Sequence, residues 1–308
     1  MPRPRIAVLG LFAADLTSLV SRLPHWHETL EGGGATLGPG GKGSNQAIAA
    51  ARLGAAVSFI GKVGADPFGA MAMRLYDQEG IDRAHLATSS SEPTGTALIL
   101  LDAESGHNAI VVNGGATATL TEAELDRAEP AIRSVDVFLL TLEVPAALIA
   151  RAVAMARRAA VPIVLNPAPA KAFDWSLLPA IDFVTPNEVE AASLLGVPVS
   201  GVEDAQRAAR EFRARGAATA IVTLGERGAV LSSAEHEAHL PAFAVPKVVD
   251  TTGAGDAFNG ALAVALAERR PLLEAARFAS AAAALSVTAR GAANSMPGRA
   301  EVEALLRS

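Results

Sequence analysis

The sequence contains no cysteine, few aromatic residues and no cluster of positive charge. Without cysteine the chain forms no disulfide, no thiolate metal site and no cysteine nucleophile, which suits a reducing compartment such as the cytoplasm. Aromatic residues make up 4% of the chain, and the formal net charge is −6. Because stacking platforms and a basic surface are both scarce, we expect no nucleic-acid partner.

Long apolar runs are also lacking. The apolar segment at residues 6–10 follows the first residues directly and is too short for a signal-peptide core or a membrane span. The alanine-rich stretch at 279–284 predicts a core helix, so we expect no membrane partner. The 308 residues allow a substantial buried core.

What the sequence does contain is an alternation of two patterns. Short apolar runs typical of buried strands lie at residues 6–9, 57–60, 135–140, 163–165, 183–184 and 220–222. Stretches with apolar residues at helical spacing lie at 47–53, 68–78, 146–158, 203–215 and 272–284. This alternation predicts an α/β fold with a mostly parallel sheet and helices on both faces.

One region departs from the alternation. Residues 94–101 and 108–113 are rich in β-formers, and the turn signal Glu104-Ser105-Gly106 lies between them, which predicts an antiparallel hairpin. Together with the irregular segment at about 15–38, the hairpin predicts a small β lid beside the main sheet. Such lids close over ligands. With no repeat or linker, we expect a single domain over 1–308, with the lid formed by about 15–38 and 94–113.

The most informative motif is DTTGAGDAFNG at residues 250–260, a glycine-rich turn that opens a helix predicted over 254–268. The backbone N–H groups of Gly253, Ala254 and Gly255 would converge there into an anion hole suited to a phosphoryl group. Asp256 would lie in the first helical turn, where a carboxylate can accept the proton of an attacking hydroxyl. The alternative is that Asp256 merely stabilises the helix N-terminus.

A second glycine-rich motif, GGKGSNQA at residues 40–47, opens the first long helix. It is not a nucleotide-binding P-loop, because that pattern places Ser or Thr directly after the lysine, whereas Gly43 follows Lys42 here. Its glycines would allow the backbone to approach a small ligand. Taken alone, Lys42 is equally well explained as a solvated surface lysine.

The two motifs, in this order, resemble those of the ribokinase family, the phosphofructokinase-B-type sugar kinases, and the resemblance covers nearly the whole chain. It implies a three-layer α/β/α sandwich with a small β lid. It also implies ATP-dependent phosphorylation of a primary hydroxyl, that of carbon 5 for ribose, with Asp256 as the base, and a homodimer in which the lids pack together.

The resemblance assigns further residues to the site. For the sugar they are Asp15, Gly41, Lys42, Gly43, Asn45, Glu143 and Asp256. For the nucleotide they are Asn187, Thr223, Gly225, Gly228, Gly255 and Ser280. Glu190 would hold Mg²⁺ through water, and K⁺ would bind at Asp250, Thr252, Ser286, Ala289, Gly291 and Ser295.

From the residues alone, simpler explanations stay open for several of these positions. Glu143 is also explained as a helix-capping acid, Asn187 as an N-cap, and residues 223–228 as a hairpin turn. The close histidine pairs, His25 with His27 and His236 with His239, are more typical of a surface than of a metal site.

The sequence departs from the family pattern at Ala13, where ribokinases place an asparagine two residues before the aspartate that Asp15 matches. Loss of that amide weakens the rejection of an acceptor that lacks one hydroxyl. Ribose remains the first expectation, and deoxyribose, another sugar or a nucleoside is the alternative. A dinucleotide oxidoreductase is disfavoured because Gly10 is a single glycine after the first strand. A non-catalytic sugar-binding protein would not need Asp256 beside an anion hole.

Overall fold

Strands and helices alternate along most of the chain. The computed structural model describes residues 3–102, 104, 107–171 and 173–307. Its strands are β1 (Arg5–Leu9), β2 (Ala13–Val20), β3 (Gly34–Gly40), β4 (Ala56–Gly64), β5 (Asp82–Ser89), β6 (Gly95–Asp102), β7 (Asn108–Asn113), β8 (Val137–Thr141), β9 (Ile163–Asn166), β10 (Phe183–Val184), β11 (Thr219–Thr223), β12 (Ala229–Ser232) and β13 (Glu237–Leu240). Its α-helices are α1 (Lys42–Arg52), α2 (Pro67–Glu79), α3 (Glu122–Asp126), α4 (Glu129–Arg133), α5 (Ala146–Arg158), α6 (Glu188–Leu195), α7 (Val202–Ala214), α8 (Ala254–Ala267), α9 (Leu272–Ser286) and α10 (Arg299–Arg307).

The main sheet has the strand order β13-β12-β11-β10-β9-β8-β1-β4-β5. Neighbouring strands from β5 to β11 run parallel, and β12 and β13 continue the sheet antiparallel. The central strand β1 is buried on both faces: Ile6 and Val8 belong to one apolar core, whereas Ala7 and Leu9 belong to the other. Helices α1, α2, α8 and α9 cover the first face, and α5 and α7 cover the second. The predicted three-layer α/β/α architecture is confirmed.

A second, smaller sheet has the order β3-β2-β6-β7. The predicted hairpin is present as β6 and β7, which pair antiparallel; Ser105 and Gly106 of its turn lie outside the described residues. The segment at about 15–38, predicted to join the hairpin in a small β lid, contributes most of β2 and β3, which pair antiparallel. Glycines in β3 hide its strand character in the sequence, and pairing with β2 overrides that low propensity.

The first long helix begins earlier than its apolar pattern suggests. Apolar spacing starts at Ala47, but α1 starts at Lys42. The reason is that the carboxylate of Glu143 accepts hydrogen bonds from the N–H groups of the first residues of α1. Helix α8 matches the predicted span to within one residue. Within the described ranges, none of the helices combines the length and apolarity that a bilayer crossing requires.

Candidate active site

The polar residues of interest lie where parallel strands of the main sheet end. Glu143 follows β8, Asn166 ends β9, Asn187 follows β10 and Thr223 ends β11. Open α/β sheets bind their ligands at this edge. A cavity of about 200 Å³ lies here. Its lining residues are Lys42, Asn166, Thr185, Asn187, Glu190, Thr223, Thr251, Gly253, Ala254, Gly255, Asp256 and Asn259.

Asp256 lies in the first turn of α8 and is 6% exposed. One carboxylate oxygen, Oδ2, accepts a hydrogen bond from Asn45 Nδ2 at 2.9 Å, and the other, Oδ1, accepts one from Gln46 Nε2 at 3.0 Å. The two predicted motifs therefore meet at this carboxylate, although 210 residues separate Gln46 from Asp256.

Glycine is favoured at positions 253 and 255, at the start of α8, for different structural reasons. Gly253 has φ 81°, and a Cβ there would lie 3.0 Å from Ala292 Cα, so both conformation and space favour glycine. A Cβ on Gly255 would meet nothing within 4 Å; this glycine borders the cavity and keeps it open. The N–H of Ala254 is directed at the Thr251 carbonyl at 3.3 Å, so that donor of the predicted anion hole is already shared.

Charged groups surround Asp256. Burial raises its pKa, whereas the Lys42 charge and the hydrogen bonds from Asn45 and Gln46 act in the opposite direction. Burial would lower the pKa of Lys42, but the carboxylates of Asp256, Glu190 and Glu143 outweigh it and raise the pKa. Lys42 is therefore a charged lysine lining the cavity rather than a solvated surface residue.

Glu143 joins three loops. Its carboxylate accepts hydrogen bonds from the N–H groups of Leu11 (3.2 Å), Lys42 (2.9 Å) and Gly43 (2.9 Å), and from Thr141 Oγ1 (2.9 Å). It thus caps the start of α1 instead of α5, its neighbour in sequence. Burial raises its pKa against these backbone hydrogen bonds.

Asp15 on β2 faces the same site. A Cβ on Gly40 would lie 2.1 Å from Asp15 Oδ2, so a glycine must stand beside this carboxylate. Burial, with repulsion from Asp256 and Glu143, raises the pKa of Asp15 to about 7. Asn45 is 4% exposed, and among the described residues its Oδ1 has no hydrogen-bond partner, so it remains free to accept a bond from a ligand hydroxyl. Gly41, beside them, has φ 90°.

Asn187 and Glu190 satisfy each other at the start of α6. Asn187 Oδ1 accepts the Glu190 N–H at 2.8 Å, and the Glu190 carboxylate accepts the Asn187 N–H at 2.9 Å. Both residues also line the cavity, so the capping and ligand-binding explanations are compatible. Glu190 is 7% exposed, and its burial raises its pKa.

The remaining nucleotide candidates lie apart from the described lining of this cavity. Gly225 and Gly228 belong to the turn between β11 and β12, with φ 57° and 86°. A Cβ on Gly228 would lie 2.0 Å from the Leu240 carbonyl oxygen. Ser280 lies on α9, and its hydroxyl donates to the Ala276 carbonyl at 2.9 Å.

The residues around the cavity suit magnesium better than a transition metal. Among the described residues no three His, Cys, Asp or Glu side chains cluster as a metal-ion site. Of the residues that the structure describes, two buried carboxylates, Glu190 and Asp256, line the cavity. Magnesium keeps several waters and binds substrate phosphates with one or two carboxylates, so this donor set fits it.

Of the predicted potassium ligands, the structure joins Asp250, Thr252 and Gly291 by hydrogen bonds. Asp250 accepts the Thr252 N–H at one oxygen (2.9 Å) and the Gly291 N–H at the other (2.9 Å). The hydroxyls of Ser286 and Ser295 donate to carbonyls within their own turns, and Ala289 is exposed. Asp250 therefore joins the segment before α8 to the segment after α9.

Several polar residues of the site had no role assigned from the sequence. They are Gln46, Asn166, Thr185 and Asn259, all buried. A signal existed for two of them: Asn166 ends a strand at the same edge as Glu143, and Asn259 follows Asp256 by three residues, on the same face of α8.

The model of the pfkB family of carbohydrate kinases matches residues 3–299. The chain belongs to the pfkB family. The two motifs that meet at Asp256 are therefore pfkB-family motifs. The central sheet and the small sheet both lie within the matched residues and are parts of one pfkB-family fold.

Individual relatives are similar over nearly the whole chain. The ribokinase of Haemophilus influenzae is 42% identical over 299 residues, covering 97% of each chain. The deoxyribokinase of Salmonella typhi is 36% identical over 293 residues, covering 95% of each. A solved structure of Arabidopsis thaliana ribokinase complexed with ribose and ATP superimposes with a TM-score of 0.92 at 32% identity and covers 100% of both chains.

Proposed function

We propose that this protein is an ATP-dependent kinase that phosphorylates the primary hydroxyl of a pentose, with ribose as the first acceptor and ribose 5-phosphate as the product. One observation carries the proposal: a buried carboxylate, Asp256, lies in the first turn of α8 beside a cavity and is hydrogen-bonded to the glycine-rich motif of α1. Family membership and the similarity to ribokinases support it.

In this proposal Asp256 accepts the proton of the sugar hydroxyl as that oxygen attacks the γ-phosphorus of ATP. The oxygen–phosphorus bond forms, the bond to the β-phosphate oxygen breaks, and ADP leaves. The N–H groups at the start of α8, chiefly those of the preceding Gly253 and of Gly255, face the charge of the transferring group. Lys42 lies among three carboxylates and adds a fixed positive charge at the same place.

Asn187 and Thr223 line the cavity on the nucleotide side and belong to the proposal as phosphate-side contacts, with the turn from Gly225 to Gly228 and Ser280 farther out. Glu190 would hold magnesium through its waters, and the ion would neutralise phosphate charge. The loop pair joined by Asp250 is the proposed potassium site. A cytoplasmic location, where ATP is supplied, is part of the same proposal.

The acceptor side has one feature that favours a second sugar. Ala13 is 1% exposed on β2, at the position where ribokinases place an amide, and it lies two residues from Asp15. A methyl group there leaves no unpaired polar atom when one sugar hydroxyl is missing. The similarity to a deoxyribokinase supports deoxyribose as the second acceptor.

The test is ATP consumption with ribose, 2-deoxyribose, fructose and nucleosides as acceptors, with the product identified by phosphorus NMR and with potassium replaced by sodium in parallel. We expect the highest kcat/KM with ribose, followed by 2-deoxyribose. An Ala13→Asn variant should raise the ribose-to-deoxyribose ratio and leave the KM for ATP unchanged. ATP turnover with none of these acceptors would contradict the proposal.

The small sheet is proposed to be a lid and a dimer interface. Leu37, Leu16, Leu98 and Val111 stand in register across its strands, and their exposed fractions are 51%, 37%, 48% and 60%. Such a row of exposed apolar side chains is typical of an interaction surface. On β2, Asp15 points to the opposite face from Leu16, so this sheet also contributes to the site.

Leu98→Lys should convert a dimer into a monomer, as measured by light scattering coupled to size-exclusion chromatography. Val197→Lys is the matched control, because Val197 is 50% exposed outside the small sheet. A wild-type protein that is monomeric at all concentrations would contradict the dimer but not the kinase.

A further inference from the structure

The side chain of Gln46 lies against Asp256, and none of the roles above uses it. Gln46 is 0% exposed. Its Nε2 lies 3.0 Å from Asp256 Oδ1 and 3.0 Å from Asn166 Oδ1. A primary amide nitrogen carries two hydrogens, so Gln46 donates to both oxygens at once.

The orientation of the Gln46 amide is determined by a backbone carbonyl. The Thr185 carbonyl can only accept, and Asn166 Nδ2 donates to it at 3.0 Å. Asn166 must therefore turn its Oδ1 toward Gln46, and Gln46 must turn its nitrogen toward both Asn166 and Asp256. The Thr185 carbonyl, at the edge of the sheet, therefore determines that the Gln46 amide turns its nitrogen, not its oxygen, toward the Asp256 carboxylate.

Two further hydrogen bonds lead from Thr185 back to α8. Thr185 Oγ1 donates to Asn259 Oδ1 at 2.6 Å, and Asn259 Nδ2 donates to the Gly255 carbonyl at 2.8 Å. Gly255 immediately precedes Asp256, so the bonds form a ring that begins at the Asp256 side chain and ends at its own backbone. Gln46 Oε1 has no hydrogen-bond partner among the described residues, but each of the three amide nitrogens of the ring donates a hydrogen bond, and such buried networks favour one arrangement.

We propose that Gln46 is a positioning residue, which holds the Asp256 carboxylate in the orientation and charge state that proton transfer requires. Its neighbour Asn45 has a different task. Among the described residues both amide oxygens, Asn45 Oδ1 and Gln46 Oε1, lack a hydrogen-bond partner. Asn45 donates to the other oxygen of Asp256 and is 4% exposed, so it can bind Asp256 and sugar together. Gln46 is 0% exposed and its nitrogen is shared with Asn166, so it serves Asp256 from behind. The inference rests on the proposed kinase function.

Charge considerations support this assignment. The charged groups that influence Asp256, or are influenced by it, are Lys42, Asp15, Glu143 and Glu190. Of these only Lys42 favours the ionised form of Asp256. Burial raises the pKa of Asp256, and the Gln46 hydrogen bond opposes that rise. Removing this donor should shift the acidic limb of the pH–rate profile to higher pH.

The experiment compares Gln46→Met, which keeps the length of the side chain but has no donor, with Gln46→Glu, which adds a negative charge. The matched control is Thr117→Val: Thr117 is 0% exposed and its hydroxyl donates to the Lys62 carbonyl at 2.8 Å, away from the site. For each variant, kcat, both KM values, the pH dependence of kcat/KM and the melting temperature are measured.

Gln46→Met should lower kcat at least about tenfold, as expected for loss of a hydrogen bond to a charged group, with little change in the KM for ATP. Its acidic limb should move to higher pH, and that of Gln46→Glu should move farther. Thr117→Val should lower the melting temperature but leave kcat and the acidic limb unchanged.

A double variant, Gln46→Met with Asn166→Ala, tests the ring. Both changes remove support from the Asp256 carboxylate, so their effects on kcat should not add. The inference is overturned if both Gln46 variants keep the wild-type acidic limb, or if Thr117→Val shifts it equally. If Gln46→Met does not fold, the limb of Gln46→Glu decides. A wild-type protein without acceptor phosphorylation overturns the proposed function and this inference together; an active wild type with unaltered Gln46 variants overturns only the inference.

Discussion

The two sides of the site are held in different ways. On one side, α1 and α8 pack so closely that a Cβ on Gly260 would lie 2.6 Å from the Gln46 carbonyl oxygen, and the polar side chains between them are buried and hydrogen-bonded. On the other side, the small sheet carries Asp15 but exposes Leu16, Leu98 and much of β7.

The difference separates two requirements of phosphoryl transfer. A base must be held within a few tenths of an ångström of its productive position, which close packing of helices provides. An acceptor must enter and leave, and a sheet with few buried contacts opens at low cost in free energy. The predictions below test whether chemistry belongs to the packed side and acceptor binding to the small sheet.

The largest effect is expected at Asp256. Asp256→Asn keeps the shape of the side chain but removes the proton acceptor, so kcat should fall by about 10²- to 10⁴-fold. ATP binding, measured by calorimetry, should remain nearly unchanged because the proposed nucleotide contacts lie on other residues. Turnover close to that of the wild type would show that the packed side does not supply the base.

The next effect is on stability. Gly260→Ala should separate α1 from α8, since the added Cβ would also lie 2.7 Å from Ala49 Cβ. We expect a loss of about 1–3 kcal/mol in the free energy of unfolding, measured with urea. The control is Gly38→Ala in the small sheet, where a Cβ meets nothing within 4 Å; its stability should change by less than about 1 kcal/mol. Equal losses at both glycines would remove the proposed contrast.

A pH effect is expected on the side of the small sheet. Burial raises the pKa of Asp15 to about 7, so its ionised fraction increases as the pH rises through neutrality. The carboxylate accepts sugar hydroxyls better than the neutral acid does, and the KM for sugar should fall as pH rises, by up to about tenfold. Asp15→Asn should abolish that dependence.

The stability of the protein should respond to Asp15 in the opposite sense. The folded pKa lies above the unfolded one, so the folded state binds more protons between about pH 4 and 7, and Asp15 makes the free energy of unfolding decrease as pH rises through this window.

A sugar KM with the same pH dependence in wild type and Asp15→Asn would assign the titration to another group.

The smallest effect is expected at Trp26, between β2 and β3. It is 94% exposed, so Trp26→Ala should change the free energy of unfolding by no more than about 0.5 kcal/mol. Tyr76→Ala, at a residue that is 0% exposed and packed against Phe59 with ring centroids 4.9 Å apart, should cost about 3–5 kcal/mol. A large effect at Trp26 in the assembled protein would place this segment in an interface.

The alternation of strands and helices was predictable because it depends on local periodicity. The apolar runs at 6–9 and 163–165 lie in β1 and β9, and the glycine-rich turn at 253–255 opens α8 as expected. The bounds of β3, within the predicted lid, could not be predicted because its glycines carry no strand signal until β2 pairs with them. The start of α1 at Lys42 also depends on a distant residue, because Glu143 stabilises it from a position about 100 residues away.

The sequence by itself determined the class of fold, the two glycine-rich motifs and Asp256 as the candidate base, since each depends on neighbours along the chain. Only the tertiary structure decided which donors reach Asp256, that Glu143 caps α1, and that Gln46 and Asn166 stand behind the carboxylate. These contacts join residues 100 or more positions apart. Their geometry depends on how the layers pack, which no local pattern specifies.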